Sequence, residues 1–199
     1  MVTAAEAAPV TGQISLGGYV RPIGSSGVSG ATGLDFLQGY GEAASAGTPG
    51  SFSYGAGAGA FKGLACASQS GACGRIEDIG SLMNAGQITS FISLSSSDGQ
   101  NVSFDLGAIT QVIRNTASNT LNISGRGLLH ITGYDTTPGQ FSFTTQGDEV
   151  VSYSATLLAS APVTSVPEPT TWTLIAIAIF FAGSSLWRWR HGAGDQTAA

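Results

Sequence analysis

The sequence predicts a mainly β chain: an antiparallel β-sandwich or barrel-like extracellular domain over residues 10–160, followed by one C-terminal transmembrane helix. Three observations predict it. Turn signals recur about every ten residues up to residue 162, as in sandwiches and barrels. The apolar residues between them alternate with polar ones and do not recur at helical spacing. The composition then changes abruptly, and residues 172–187 form an apolar run without a single charge.

Residues 1–9, "MVTAAEAAP", offer small residues in an A-x-A arrangement (Ala5, Glu6, Ala7) of the kind a signal peptidase cuts after. No charged and apolar leader precedes them, so the expectation is that the true start lies upstream and that 1–9 is the remnant or end of a signal region. The next stretch is Gly-rich, and short strands are expected at 34–37 and 51–54, joined by long loops. "GAGAGAFKG" is read as a flexible loop, because it lacks the G-K-[ST] ending of a phosphate-binding loop. "GRIEDIGSLMNAG" predicts one helical turn around 76–82.

Alternation is clearest in "ITSFISLSSSDGQNVSFDLGAI". Phe91 and Ser93 are expected on one face and Ile92 and Leu94 on the other. Asp98-Gly99 is a hairpin signal, and Val102, Phe104 and Leu106 alternate on the return strand. Leu121 with Ile123, and Leu129 with Ile131, form another alternating pair around Gly125-Arg126-Gly127. A Pro138-Gly139 turn, then Phe141 and Phe143 on one face, a Gly147-Asp148 turn, and Val151, Tyr153 and Ala155 complete the domain. Residues 161–170 are a linker in which Pro162, Pro167 and Pro169 favour extended backbone.

Charged residues make up only 10% of the chain, which argues against a charge-rich disordered tail. Upstream of residue 171, five basic side chains (Arg21, Lys62, Arg75, Arg114, Arg126) face eleven acidic ones. Nothing there could neutralise a row of phosphates, and no nucleic-acid partner is expected. The two cysteines, Cys66 and Cys73, read as one disulfide closing a short loop in an exported protein, with a free buried pair as the alternative. Zinc would need two further ligands beside these thiolates, and no metal or other cofactor is expected.

As a helix, residues 170–189 would be about 30 Å long at about 1.5 Å per residue, matching the hydrocarbon core of a bilayer. A buried core helix would need a further domain to wrap it, so residues 171–190 are read as a membrane span with its basic stop. Trp172 at one end and Trp187 and Trp189 at the other fit an aromatic belt. Arg188 and Arg190 form the positive flank that stays cytoplasmic. The β domain is therefore expected outside and residues 191–199 inside, as a cytoplasmic tail.

Pro167, Glu168 and Pro169, then an apolar helix, then an Arg-rich end, together resemble the PEP-CTERM sorting signal of Gram-negative bacteria. "ATGLDFLQGYG", the two-cysteine loop and "TPGQFSFTTQGD" with "SYSAT" resemble extracellular domains of one group of such proteins. The resemblance implies a substrate of an exosortase, a membrane-embedded cysteine-dependent protease or transpeptidase. It also implies residence in the inner membrane first, and then at the cell surface or in an exopolysaccharide-rich biofilm matrix. Two prolines stiffen the segment that would dock in the enzyme, and Glu168 supplies one fixed charge there. Glu168 before Pro169 equally fits the start of a helix.

No active site emerges, and the chain is read as a non-enzyme. His130 lies in an alternating strand, where it is expected to be exposed or hydrogen-bonded, and with serine so abundant no Ser-His-Asp set can be singled out. The adjacent pairs Glu77-Asp78 and Asp148-Glu149 would point to opposite faces of a strand, so neither is a glycosidase pair by itself. Two readings of the β domain follow: a structural or adhesive matrix protein, and a carbohydrate-binding or hydrolytic module. Tyr19, Tyr40, Tyr54, Tyr134 and Tyr153 decide between them, since a sugar platform needs several exposed on one face.

Overall fold

The computed structural model describes residues 7–42, 47–66 and 72–160. These form an antiparallel β-barrel of eight strand positions around a packed interior. Its strands are β1 (Gly12–Ile23), β2 (Gly33–Leu37), β3 (Gly50–Gly59), β4 (Gly74–Ile76), β5 (Ile88–Ser95), β6 (Asn101–Asn115), β7 (Thr120–Ile131), β8 (Thr137–Gln146) and β9 (Val151–Ala159). β1 closes the ring. One of its edges pairs with β9, and the other pairs first with β3 along Gly12 to Gly18 and then with β2 along Tyr19 to Ile23. Closure pairs both edges of β1 and of β9, which keeps those edges from templating pairing with another chain. Among the described residues no helix is long and apolar enough to cross a membrane. Residues 172–187, and with them Trp187, Arg188, Trp189 and Arg190, lie outside the described residues, as do Pro167, Glu168 and Pro169.

The interior is filled by side chains, as expected for a barrel of this size. Phe36, Phe52, Phe61, Phe91, Phe104, Phe141 and Phe143 are all fully buried, and each contributes roughly 1.5–3 kcal/mol of burial. Phe36 is the hub of the aromatic part: it meets Phe91, Phe143 and Tyr153 edge-on, with ring centroids 6.1, 5.8 and 5.3 Å away. Edge-to-face contact places the positive rim of one ring on the negative face of the next. Two interior hydroxyls are satisfied. Thr137 Oγ1 accepts from the Val10 amide at 2.8 Å and donates to the Asp135 carbonyl, and Thr145 Oγ1 donates to the Ser152 carbonyl.

The alternation read in β6, β8 and β9 holds. Val102, Phe104, Leu106, Phe141, Phe143, Tyr153 and Ala155 all point inward. The turns at Asp98-Gly99 and Gly147-Asp148 also stand, with both glycines at positive φ. Five local expectations fail, each for a physical reason. Phe91 and Ile92 are both buried, because three residues of β5 bulge between its pairs with Leu106 and Phe104 and swing Phe91 inward. Ser90 sits in that bulge at φ 51°. Gly125-Arg126-Gly127 is the middle of one continuous strand. A Cβ on Gly125 would stand 2.7 Å from Leu106 Cδ1, and one on Gly127 would land on the Asp105 carbonyl oxygen, so these glycines admit the bulged β6 alongside.

Pro138-Gly139 lies within β8, and the chain turns earlier, around Gly133 at φ 87°. Pro138 accepts from the Ser160 amide just past the end of β9, where its own missing N–H leaves no ladder position empty. "GAGAG" is the second half of β3, paired to β1 and bulged at Gly55. A Cβ on Gly12 or Gly59 would strike the facing backbone, so the two strands can pair there only without side chains. Residues 76–82 make no helical turn: Ile76 ends β4 and Ile79 pairs with Leu34 in extended backbone. Ile76, Ile79 and Leu82 are buried at a spacing of three that resembles a helix but serves a strand end and a bridge.

Candidate functional site: an outer groove and a polar belt

Cys66 and Cys73 form a disulfide. It joins the segment after β3 to the residue before β4, and the Cys73 amide donates to the Phe52 carbonyl at 2.7 Å. A loop this short, cross-linked in the unfolded chain, is worth about 2–3 kcal/mol on the chain-entropy account. The disulfide also borders the most distinctive surface feature. Two depressions of about 410 and 240 Å³ share Gln38, Ser51 and Ala72 and so run together as one groove. One end reaches Tyr19, Gly17 and Ser53 on β1 and β3, and the other reaches Arg75, Ser93 and Ser95 on β4 and β5.

The registers explain why these residues share a surface. Ser51 faces Arg75, Arg75 faces Ser93, Ser93 faces Ser103, and Ser103 faces His130, strand by strand from β3 to β7. Side chains directly opposite one another project on the same side of a sheet, so the row is a polar belt on the outside of the barrel. At its far end His130 Nδ1 lies 3.0 Å from Thr136 Oγ1 and Nε2 lies 3.2 Å from Asp105 Oδ2. Asp105 Oδ1 accepts from the Ser90 amide at 2.7 Å and so braces the β5 bulge.

The sequence could not single out partners for His130, and the structure supplies them. Asp105 is reached across the β6–β7 hairpin and Thr136 across the turn into β8. The one sequence signal was the pairing register of that hairpin, with Asp105 two residues from Ser103. A hydroxyl, an imidazole and a carboxylate in hydrogen-bonded order form the chain that activates a nucleophile. Here, however, they lie outside the lining of the groove, which ends at Ser93, two strands short. Their evident work is to clip β6, β7 and the turn before β8 together.

The carboxylates nearer the groove are committed to structure. Asp35 is buried, 3.6 Å from the Arg21 guanidinium, and burial, with Asp78 nearby, raises its pKa against the opposing pull of Arg21. Asp78 Oδ1 accepts from the Phe36 amide and Oδ2 from the Gly47 amide. Glu42 accepts from the Gln38 amide through its carboxylate, while its backbone carbonyl takes the Arg21 guanidinium at 2.7 Å. Asp148 accepts from Asn119, and Glu149, at φ 56°, belongs to the β8–β9 turn. No three metal-ligating side chains cluster among the described residues.

The tyrosines divide clearly. Tyr153 is interior and Tyr54 is partly buried, its hydroxyl donating to the Phe61 carbonyl. Tyr134 is exposed on the turn before β8, away from the groove lining. Tyr19 and Tyr40 are exposed together, 37% and 76%, with ring centroids 5.5 Å apart; Tyr19 lines the β1 end of the groove, and Tyr40 stands beside it outside the lining. The chain matches no protein-family model, no curated protein and no solved structure, so the functional argument rests on this geometry and on the sequence.

Proposed function

We propose that the chain is an exported structural or adhesion protein of the cell surface or exopolysaccharide matrix, sorted through its C-terminal PEP-CTERM-like signal by an exosortase-type enzyme. On this reading it is held first in the inner membrane, with the barrel outside and the C-terminus cytoplasmic, and it works by attachment and without turnover. The observation that carries the reading is the outer wall of the disulfide-bonded barrel. Asn122, Thr144 and Ser154 face one another in one row, and Ser124, Ser142, Thr156 and Ser15 in the next. These two rows present hydroxyls and amides without charge over a phenylalanine interior, a surface that stays hydrated outside the cell. The disulfide fits an oxidising compartment.

Mass spectrometry of the mature C-terminus, in cells with and without the sorting enzyme, tests the sorting. Processing near Pro167 to Pro169 that depends on the enzyme is expected, and Glu168→Ala should impair it while leaving membrane insertion intact. The full-length species in both strains overturns the sorting and leaves a single-span membrane protein.

The carbohydrate-binding alternative is favoured by one observation, the exposed Tyr19–Tyr40 pair beside the groove. Its hydrolytic version has less to stand on. Among the described residues no carboxylate lines the groove, whereas glycoside hydrolysis by the usual route needs two that face each other.

A further inference from the structure

We infer that the groove running from Tyr19, against which the exposed Tyr40 packs, past Gln38 and Ser51 to Arg75 and Ser93 is a binding site for an extended pyranose polysaccharide. The inference develops the carbohydrate-binding reading of the exported domain and rests on the matrix reading only for where such a chain would be met.

The lining has the chemistry such a ligand needs. A sugar ring offers hydroxyls around its rim and C–H bonds on its faces. The Gln38 amide and the Ser93 hydroxyl can donate to or accept from the rim, and Ser51 and Ser53, whose hydroxyls donate to the Gln38 and Gly17 carbonyls, can accept from it. Tyrosine supplies a rigid amphipathic surface for the face, at the entropic cost of only two torsions. The groove is open and elongated across β1, β3, β4 and β5, unlike the enclosed pocket of a small molecule, so a polymer could enter and leave along its length. Among the described residues, Arg75 is the only ionic side chain in the lining. One cation suits a neutral chain or one with sparse acidic substituents, and cannot match a row of phosphates.

The aromatic end is built to hold its shape. Tyr40 is the most exposed of the tyrosines, yet the short segment that carries it is fastened on three sides. The Gln38 amide donates to the Glu42 carboxylate, Ser51 Oγ donates to the Gln38 carbonyl at 2.8 Å, and Arg21 Nη2 donates to the Glu42 carbonyl at 2.7 Å. Arg21 is in turn paired with buried Asp35. A large ring left in water on a braced support is already ordered before binding, which lowers the entropy a ligand must overcome. Beyond Ser93 the outer belt continues through Ser103 to His130, so a longer chain would leave the groove onto further hydrogen-bonding groups.

The test is affinity electrophoresis of the full chain in detergent, through gels containing hydroxyethyl cellulose as a neutral glucan or alginate as an acidic one. Retardation in at least one gel is expected. Tyr40→Ala and Tyr19→Ala should each weaken it about tenfold, as a central aromatic anchor does, with unchanged thermal melts. Tyr134→Ala, as exposed as Tyr19 but neither in the lining nor packed against a lining ring, should leave it unchanged. Arg75→Gln separates the ligand types, since it should weaken only the alginate response. No retardation in either gel, or equal losses in Tyr134→Ala and Tyr40→Ala, overturns the assignment. Failure of the sorting reading is seen separately, because Glu168→Ala acts on the mature C-terminus and should not alter retardation.

Discussion

The two sides of the barrel are specified in different ways. In β8 and β9 the side chains carry the instruction: β8 buries every second residue from Thr137 to Thr145 and exposes the rest without a break. In β1 to β4 the backbone carries it. Gly12 and Gly59 press β3 onto β1, Gly50 leaves room for Phe36, Gly74 leaves room for Phe52, and the disulfide fixes the entry to β4. The first kind of strand can be recognised from its own residues. The second becomes a strand only when its neighbours are in place, and it is also the side that builds the groove. There a short β4, a bulged β3 and a loop after β2 leave a trough between them.

The largest test of this contrast falls on the residue that joins the two sides. Phe36 comes from the glycine-rich side, but it packs on Phe143 and Tyr153 of the regular side and on Phe91 of the β5 bulge. Phe36→Ala should cost about 3–5 kcal/mol in chemical denaturation. If the regular strands hold themselves together, the remaining fold should still unfold in one step. A loss under about 1 kcal/mol, far below an ordinary buried aromatic, would show that the aromatic hub is not what unites them.

Next comes a pair of glycines chosen to separate close packing from mere composition. Gly127→Ala puts a methyl against the Asp105 backbone, which cannot move aside as a side-chain tip can. It should cost about 1–3 kcal/mol, as overpacking does. Gly55→Ala meets nothing nearer than the Ser15 carbonyl oxygen at 3.6 Å, and should be neutral or stabilising through the unfolded chain. Equal effects at the two sites, read from thermal melts, would mean that glycine weakens or spares both strands by conformational freedom alone.

How far the sequence could be read follows the same division. A barrel-like antiparallel domain, its β6, β8 and β9 faces and two of its turns were legible, because period-two alternation and Asp-Gly or Gly-Asp pairs are local signals. The Gly125 to Gly127 stretch, expected between two alternating segments, is the middle of one strand, since glycines that admit a neighbouring strand look in sequence like glycines that divide two. Phe91 was assigned to a face that a bulge then reversed, and the bulge depends on Asp105, which is distant in sequence. For the site, the two cysteines were legible from spacing. Tyr19 and Tyr40 were only two of five candidate tyrosines until β1, β2 and the loop between Leu37 and Glu42 brought them together. Asp105 and Thr136 could not be matched to His130 without the register.

The smallest expected effect probes the brace under Tyr40, and its sign distinguishes burial from ion pairing. Asp35 lies on β2 with only 5% of its surface exposed, facing Arg21 on β1. Burial first, and then Asp78, hold its pKa above 3.8, and the attraction of Arg21 does not overcome them. A carboxyl whose folded pKa is raised binds its proton more tightly in the folded state than in the unfolded one. Its favourable contribution is therefore complete below the unfolded value and is lost as pH rises through the folded one. At neutral pH the buried charge is a burden that the glycine-rich side carries in order to fix Arg21 beneath the Tyr40 loop. Asp35→Asn should accordingly melt at the same temperature as the native chain or slightly higher at neutral pH, with that difference vanishing as the pH falls below 3.8. A lower melting temperature for Asp35→Asn at neutral pH would reverse the ranking and make the Arg21 pair the stronger term. In either case polysaccharide retardation should weaken in the variant, because Arg21 loses the partner that aims it at the Glu42 carbonyl.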